Sequence, residues 1–414
     1  MRFGINTLDD VQVKGKTVLC RVDINQPIDW ETGTLKDTTR VRACLPTIRE
    51  LADKGARLAL LAHQGSDIEY KNFYTTEPHA KVLSDLLGRE VKFIGDVCGP
   101  AAQEAIRALG DGEILLLDNV RFVSEEQTLF ELKLQLSHEQ QAKTLLVRKL
   151  APLADLYICD AFAAAHRDQP SLCGFEQVLP SAMGRLFEEE FCVISGLMES
   201  PERPCVYVLG GAKIGDAFLM MSTVLGGGIA NKVLVGGLVA QVLLWADGTE
   251  IGEPSRAFIR KQGYESLVGT AKELLAKFQD KIMLPTDFSY VKDGKRQECK
   301  PDVLPEGELV VDIGSDTAES FRQIILESKT VFINGPMGVF EQSESELGTK
   351  IVWEALGDTE GYTVVGGGDS ITATNKYATR INYICTGGGA LIRFLTGEEL
   401  PVVKALRHGS EMKQ

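Results

Sequence analysis

The 414-residue sequence predicts an α/β protein made of two doubly wound, parallel-sheet domains of the Rossmann-like kind, which face each other across a hinge cleft. Short apolar, β-branched runs alternate with longer segments of helical period along the whole chain. The runs are almost continuously apolar, which is typical of parallel strands that helices cover on both faces. They end in Gly, Asp or Asn, the residue types that favour tight strand-to-helix loops.

The predicted strands fall into two sets along the chain. In the first half the apolar runs begin at Thr17, Arg57, Glu113 and Leu156. In the second half they begin at Cys205, Lys232, Lys281, Leu309, Thr330, Tyr362 and Ile381. The segment from Glu125 to Leu150 predicts one long helix in the first domain.

A helix is predicted between the two sets. Phe187, Phe191, Ile194 and Met198 recur at the spacing of one helical face, and prolines follow at 201 and 204. We therefore expect a first domain over 1–180, a linker helix within 181–203 and a second domain over 204–394. Residues 395–414 are expected to pack back on the first domain.

Charge and composition restrict the partners. The chain has 44 Lys and Arg against 58 Asp and Glu, a net charge of −14, so we expect no nucleic-acid partner and no membrane partner. The nine cysteines include no CxxC pair and are expected to be reduced thiols. The first ten residues, MRFGINTLDD, resemble no secretion signal, and no apolar run reaches the roughly 18 residues that span a bilayer. These features favour a cytoplasmic protein.

Glycine accounts for 41 residues of 414, above the roughly 7% of average usage. The densest groups follow predicted strands of the second half: Gly210–Gly211, Gly236–Gly237, Gly366–Gly368 and Gly387–Gly389. Ligands of open α/β sheets bind beyond the carboxyl ends of the strands, and glycine there lets backbone N–H groups approach an anion. Together with Lys213 and Asp369, these loops predict a site for a nucleoside triphosphate and hydrated Mg²⁺.

The first half carries a different set of residues at its strand ends. Positive and polar side chains gather there: Arg21, Asp23, Asn25, Arg40, His63, Arg121, His166 and Arg167. Guanidinium groups bind carboxylates and phosphates in bidentate fashion, so this group predicts an anion site.

Other chemistries lack their motifs. The sequence contains no GxxxxGK[ST], no GxGxxG opening a helix after a strand, no GxSxG, no HExxH and no CxxC. An NAD-dependent dehydrogenase and a metal or serine hydrolase are therefore disfavoured. The remaining interpretation is a kinase for a small acidic metabolite. The alternatives are a two-lobed solute-binding protein and an inactive relative that binds an anion and a nucleotide without chemistry.

A series of ordered blocks then resembles the phosphoglycerate kinase family over essentially the full length. The first-half blocks are RVDINQPI at Arg21, RVRACLPTI at Arg40, LLLDNVRF at Leu115 and YICDAFAAAHR at Tyr157. The second-half blocks are VLGGAKIGD at Val208, VGGLVAQVLL at Val235, LPTDF at Leu284, INGPMGVFE at Ile333, VVGGGDS at Val364 and TGGGA at Thr386. GGLVAQ and the ending GEELPVVKALR are most similar to archaeal members.

The resemblance implies reversible, Mg²⁺-dependent phosphoryl transfer between ATP and the carboxylate of 3-phosphoglycerate, giving 1,3-bisphosphoglycerate and ADP in glycolysis and gluconeogenesis. The expected partners are these small molecules, for a monomer or a homodimer. The implied acceptor site consists of Asp23, Asn25, Arg40, His63, Gln64, Gly65, Ser66, Arg121 and Arg167. The implied nucleotide site consists of Gly211, Lys213, Gly236, Gly237, Asn334, Glu341, Gly367, Gly368, Asp369 and Ser370. Arg40, Lys213 and Gly368 are the implied catalytic residues, and Asp369 is the implied metal ligand.

Two positions depart from the pattern of the family. Where bacterial and eukaryotic members read HLGRP, this chain has Ser66 after His63-Gln64-Gly65, so one phosphate-binding arginine is missing. Where members often carry a second lysine after GAK, this chain has Ala217. Arg42 or a neighbouring lysine is the expected compensation.

Overall fold

The structure is a computed structural model, which describes residues 1–65, 73–131 and 135–412. Two compact units make up the chain: Met1–Cys192 together with Glu399–Gln414, and Val193–Glu398. The boundary at 192/193 falls within one helix, α9 (Arg185–Glu199). No helix in the described part of the chain combines the length and the apolar character needed to cross a membrane.

A six-stranded parallel sheet forms the centre of the first unit. Its strands are β1 (Thr17–Arg21), β2 (Arg57–Leu61), β3 (Val91–Ile94), β4 (Ile114–Leu117), β5 (Leu156–Cys159) and β6 (Ser181–Met183), in the order β3-β4-β2-β1-β5-β6. The helices are α1 (Thr39–Ala43), α2 (Leu45–Asp53), α3 (Glu77–Leu87), α4 (Pro100–Arg107), α5 (Ser124–Glu131), α6 (His138–Gln141), α7 (Leu145–Leu150), α8 (Pro170–Cys173), α9 and α18 (Pro401–Ser410). All five residues of β1 are buried, including the charged Arg21 at its end, as expected for a strand that helices cover on both faces.

A second parallel sheet of six strands forms the centre of the other unit. Its strands are β7 (Cys205–Leu209), β8 (Lys232–Val235), β9 (Ile282–Met283), β13 (Thr330–Asn334), β14 (Tyr362–Gly366) and β15 (Tyr383–Cys385), in the order β15-β14-β13-β7-β8-β9. Its helices are α10 (Ile214–Gly226), α11 (Gly237–Asp247), α12 (Glu253–Lys261), α13 (Val268–Phe278), α14 (Ser315–Leu326), α15 (Leu347–Asp358), α16 (Gly368–Tyr377) and α17 (Gly388–Leu395). The predicted α/β class with two doubly wound parallel sheets is confirmed.

The strand orders determine where a ligand can bind in each unit. In the first sheet the chain winds outward from β1 in both directions, with β2 on one side and β5 on the other. In the second sheet it winds outward from β7, with β8 on one side and β13 on the other. Crevices form where the order reverses, beyond the carboxyl ends of β1 and β5 and of β7 and β13.

Three predictions about individual elements are corrected. The single long helix over Glu125–Leu150 is wrong, because α6 and α7 each begin anew, after Ser137 and Thr144 in extended conformation. Ser137 closes a capping box with Gln140, which starts a helix at this point. The run from Leu309 yields only β12 (Asp312–Ile313), which pairs antiparallel in a separate small sheet. The other two strands of that sheet, β10 (Phe288–Lys292) and β11 (Lys295–Cys299), were not predicted.

Helix α18 packs on the first unit, at the start of the chain. The Asn6 backbone N–H donates to Ser410 Oγ at 2.8 Å, and Asn6 Nδ2 donates to the Ser410 carbonyl at 3.3 Å. Gly409 lies so close to β6 that a Cβ atom there would be 2.6 Å from Ser181 Oγ. The last helix therefore completes the packing of the unit to which the first residues belong.

Candidate active site

In the first unit, the loops that follow β1, β2 and β4 are joined by hydrogen bonds. Gln64 N–H donates to Asn119 Oδ1 at 3.1 Å, and Asn119 Nδ2 donates back to the Gln64 carbonyl at 2.7 Å. Gln64 Nε2 donates to the Gln26 carbonyl at 2.8 Å. The Gly65 N–H donates to Asn25 Oδ1 at 2.9 Å. The strand ends that the sequence analysis singled out are thus held together by their own polar groups.

Arg40 reaches this group of loops from α1. Its Nη1 donates to Asp23 Oδ2 at 2.7 Å, in an ion pair whose carboxylate is 6% exposed and whose guanidinium is 40% exposed. Arg121, at the end of β4, donates from Nη1 to the Gly65 carbonyl. Its backbone N–H donates to Asn119 Oδ1 at 3.1 Å, so the same amide oxygen that orients Gln64 also orients Arg121.

The buried His63 ring lies among arginines. Burial lowers the pKa of His63 well below its usual value, and the charges of Arg21, Arg121, Arg167 and Arg40 lower it further. The structure therefore brings together most of the predicted acceptor site around a neutral imidazole. Ser66 lies outside the described residues. Arg42, the proposed compensation for it, donates from Nε to Thr38 Oγ1 at 3.1 Å within its own helix.

In the second unit, a cavity of about 110 Å³ opens at the switch point between β7 and β13. Seven of the predicted nucleotide-site residues line it: Gly211, Lys213, Asn334, Gly367, Gly368, Asp369 and Ser370. The cavity is also lined by Gly210, Ala212, Gly335, Gly388, Gly389 and Ile392, which the sequence analysis did not assign to the site. The signal for three of them was present in the sequence, since Gly210, Gly388 and Gly389 belong to the strand-end groups already noted.

The cavity depends on backbone segments that approach closely. A Cβ atom at Gly335, whose φ is +87°, would lie 2.3 Å from the Gly210 carbonyl oxygen. A Cβ atom at Gly210 would lie 2.2 Å from the Pro336 carbonyl oxygen. Only glycine at both positions lets the ends of β7 and β13 come so close.

Donor groups converge on this cavity. Asn334 Nδ2 is buried and has no hydrogen-bond partner among the described residues. Lys213 occupies the N-cap position of α10 and is exposed, and the N-terminus of α16 follows Gly367. An unpaired buried amide, an ammonium group and helix N-termini favour an anionic ligand. Asp369, exposed in the first turn of α16, is the acidic side chain of the cavity lining.

The other three residues predicted for the nucleotide site, Gly236, Gly237 and Glu341, do not line this cavity. Gly236 precedes α11, and a Cβ atom there would lie 2.6 Å from Met337 Sδ. Gly237 lines a smaller cavity of about 10 Å³, together with Gln241, Leu244, Pro285, Phe288, Val310 and Asp312 among others. Burial raises the pKa of Asp312 to about 6, against the opposing effect of Arg296. Glu341 is exposed in the loop after β13 and lines neither cavity.

Two doubly wound units, one with arginines gathered at its strand ends and one with a glycine-lined cavity, have the arrangement that a nucleotide-dependent phosphotransferase requires. The family model for phosphoglycerate kinase matches residues 8–398. Over 406 residues the chain is 47% identical to the phosphoglycerate kinase of Methanothermobacter thermautotrophicus, covering 98% of this chain and 97% of the relative. It is 44% identical to that of Thermococcus kodakarensis over 409 residues, covering 97% and 96%.

The solved structures agree with the sequence comparisons. The crystal structure of phosphoglycerate kinase from Pyrococcus horikoshii superposes with a TM-score of 0.87 at 40% identity, covering 98% of this chain and all of that one. The chain belongs to the phosphoglycerate kinase family. The resemblance noted in the sequence is confirmed, and none of these relatives supports the alternative of an inactive binding protein.

Proposed function

We propose that the first unit binds 3-phosphoglycerate and the second binds ATP, so that the chain performs the reversible phosphoryl transfer of its family. The observation that carries the proposal is the cavity at the β7–β13 switch point. It combines glycine backbone, the Lys213 ammonium group and the unpaired Asn334 amide around a space of about 110 Å³. These are the groups that a polyphosphate requires.

On the acceptor side, each side chain has a role that suits its surroundings. His63, Arg121 and Arg167 bind the 3-phosphate, since both guanidinium groups lie near enough to the ring for their charges to lower the pKa of His63. Asp23 and Asn25 bind the hydroxyl and carboxylate end. Gln64 and Gly65 join the loops through their backbone hydrogen bonds to Asn119 and Asn25. Because the sequence has Ser66 where some relatives have arginine, the 3-phosphate meets one guanidinium group fewer here.

On the nucleotide side, Gly211, Gly367, Gly368 and Ser370 approach the phosphates through backbone and hydroxyl groups, and Asn334 donates from Nδ2. Gly236 and Gly237 leave room for the adenine next to the smaller cavity. Glu341 binds the ribose.

The chemistry needs charge neutralisation more than proton transfer. The acceptor carboxylate is already ionised, so one of its oxygens attacks the γ-phosphorus directly while the bond from phosphorus to the β–γ bridging oxygen breaks. Arg40 and Lys213 neutralise the equatorial oxygens of the transferring group, and the Gly368 N–H at the start of α16 donates to it. Holding both reactants in line can supply roughly 7–11 kcal/mol of the barrier.

The cavity also fits a magnesium ion that arrives with the nucleotide. Mg²⁺ usually takes one or two carboxylates, keeps several waters and binds substrate phosphates. Asp369 provides one exposed carboxylate in the lining of the phosphate cavity, which matches that demand. When bound, the ion would screen the charge of the phosphate oxygens. Asp369 would hold it, and Lys213 would remain the protein's own cation at the phosphates.

A coupled assay tests the proposal. ATP and 3-phosphoglycerate are supplied, and formation of the acyl phosphate is followed as NADH oxidation through glyceraldehyde-phosphate dehydrogenase. We expect Lys213→Met to lower kcat at least 100-fold without loss of the fold, because the side chain is exposed. Lys232→Met, at an exposed lysine that begins β8, is the matched control and should keep full activity. An inactive parent protein would reject the proposed function.

A further inference from the structure

Arg21, at the end of β1, is a buried arginine that the roles above do not use. Its side chain is among the largest fully buried ones in the protein, and the residue is 1% exposed. Its Nε donates to Ser171 Oγ at 2.9 Å, and its Nη1 donates to the Val22 carbonyl at 2.7 Å. Its Nη2 lies 3.1 Å from His63 Nδ1. One guanidinium group thus joins β1, the loop after β2 and helix α8.

The contact with His63 determines where the imidazole carries its hydrogen. A guanidinium group has donors and no acceptor, so Nδ1 must accept and cannot carry a hydrogen itself. The ring is then neutral, with its hydrogen on Nε2. Burial and the four arginines around the ring, Arg21, Arg121, Arg167 and Arg40, disfavour the charged form. Among the described residues no acceptor lies against Nε2, which leaves this donor available to a ligand.

A buried carboxylate holds the guanidinium group from the other side. The Ser171 hydroxyl accepts from Arg21 and therefore turns its own hydrogen towards Glu126 Oε1, to which it donates. Glu126 Oε2 accepts from the Ser171 N–H at 2.9 Å. Glu126 and Ser171 are almost completely buried, so Glu126 supplies a countercharge for Arg21 inside the unit. A buried charge without such a partner would be strongly unfavourable.

We propose that Glu126, Ser171 and Arg21 form a positioning relay, which holds His63 as an Nε2–H donor for the 3-phosphate of the acceptor. The inference rests on the proposed function, because the 3-phosphate that it assigns to the His63 Nε2–H belongs to the acceptor substrate proposed there. Arg21 is a positioning residue here: it acts on the substrate through the imidazole ring. Without Arg21 the ring can exchange between its two neutral tautomers, so Nε2 no longer always carries the hydrogen that donates to the phosphate.

The first measurement uses the unmodified protein. Side-chain ¹⁵N NMR of the five histidines, with the His63 signals identified by their loss in His63→Gln, reports the tautomer directly. We expect His63 to be the neutral Nε2–H form from pH 5.5 to pH 8.5. A His63 ring that carries its hydrogen on Nδ1, or that gains a proton in this range, would overturn the proposal without any variant.

The second measurement uses Arg21→Met. We expect KM for 3-phosphoglycerate to rise at least 10-fold with kcat changed less than 3-fold at pH 8, and the His63 signals to show both neutral tautomers. A purely structural role would lower stability but would leave the His63 tautomer unchanged. Tyr157→Phe is the matched control, because the Tyr157 hydroxyl donates to the Ser171 carbonyl at 2.8 Å and takes no part in the relay. It should leave the His63 signals and KM unchanged.

The outcomes separate this inference from the function on which it rests. Folded Arg21→Met with an unchanged Nε2–H ring and unchanged KM would refute the relay while the kinase activity stands. An inactive parent protein that shows the expected His63 tautomer would reject the assigned ligand and the proposed function together. If Arg21→Met does not fold, Ser171→Ala replaces it, with an expected 3-fold or larger rise in KM. An unchanged KM in that variant would contradict the link to Glu126.

Discussion

Gly335→Ala tests most directly how the cavity between the ends of β7 and β13, which we propose to bind phosphates, is formed. The methyl group would lie 2.3 Å from the carbonyl oxygen and 2.5 Å from the carbonyl carbon of Gly210, and 2.9 Å from the Gly211 nitrogen. All three are backbone atoms, which cannot move aside as the end of a flexible side chain can. The substitution must therefore separate the ends of β7 and β13, where the cavity is formed.

Two contributions set the expected loss of stability. Alanine at a φ of +87° costs about 1–2 kcal/mol, because its Cβ crowds the following carbonyl group. Forcing a methyl group into a packed site typically costs a further ~1–3 kcal/mol. We expect the free energy of unfolding of the second unit to fall by about 2–5 kcal/mol, measured by urea unfolding followed by circular dichroism. ATP affinity, measured by calorimetry, should fall at least 10-fold.

Gly215→Ala provides the control at a nearby glycine. Gly215 lies in the first turn of α10, and a Cβ atom there would meet no atom within 4 Å. Alanine is the better helix former by up to ~1 kcal/mol, so this variant should be as stable as the parent or slightly more stable. If Gly335→Ala matches Gly215→Ala in stability and ATP affinity, the close approach of the two strand ends is not what forms the cavity.

Three further predictions concern the acceptor side, the buried acid and the motion. Arg40→Gln leaves the nearly buried Asp23 carboxylate without its cation, and we expect kcat to fall at least 100-fold. If Arg40 had only a structural role, the substitution would lower stability and leave kcat unchanged. Burial raises the pKa of Asp160 to about 7, because the fold favours the protonated carboxyl group. The stability that protonated Asp160 contributes is complete below about pH 4 and is lost as the pH rises towards 7, by at most ~4 kcal/mol. Asp160→Asn should remove that slope from urea unfolding measured at several pH values, and an unchanged slope would contradict the raised pKa. Because the proposed substrates bind to different units, the radius of gyration in solution scattering should be smaller with both ligands than with either alone; equal values would exclude closure.

Much of the fold could be predicted because its strands are buried on both faces. Runs such as those from Thr17 and Cys205 are largely apolar, and each forms a fully buried strand. Two of the missed strands, β3 and β11, lack that property. β3 has one buried residue of four, and β11 is largely exposed. The Asp293-Gly294 pair between β10 and β11 has positive φ at both residues, and an Asp-Gly dipeptide is a hairpin signal that the sequence itself carries.

The residues of the candidate site also include some that could be located from the sequence and others that could not. Residues at the ends of strands or in the turns that follow them, such as Asp23, Asn334 and Asp369, could be located from local sequence, since parallel strands end at one edge of a sheet. The relay could not be placed in this way. Arg21 and Ser171 are 150 residues apart, and Glu126 is 45 residues from Ser171. Only the winding of the chain around β1 and β5 brings them together, and no motif in the sequence marks such a contact.

The docking of α18 on Asn6 has a consequence for the order in which the protein can be made. A ribosome synthesises the segment 1–192 first, but the helix that completes this unit emerges only after the entire second unit. The second unit is one continuous stretch and can finish folding while the first still lacks its last piece. Until then the nascent chain displays an uncovered surface around β6 and Asn6, which makes it a candidate for chaperone binding late in translation.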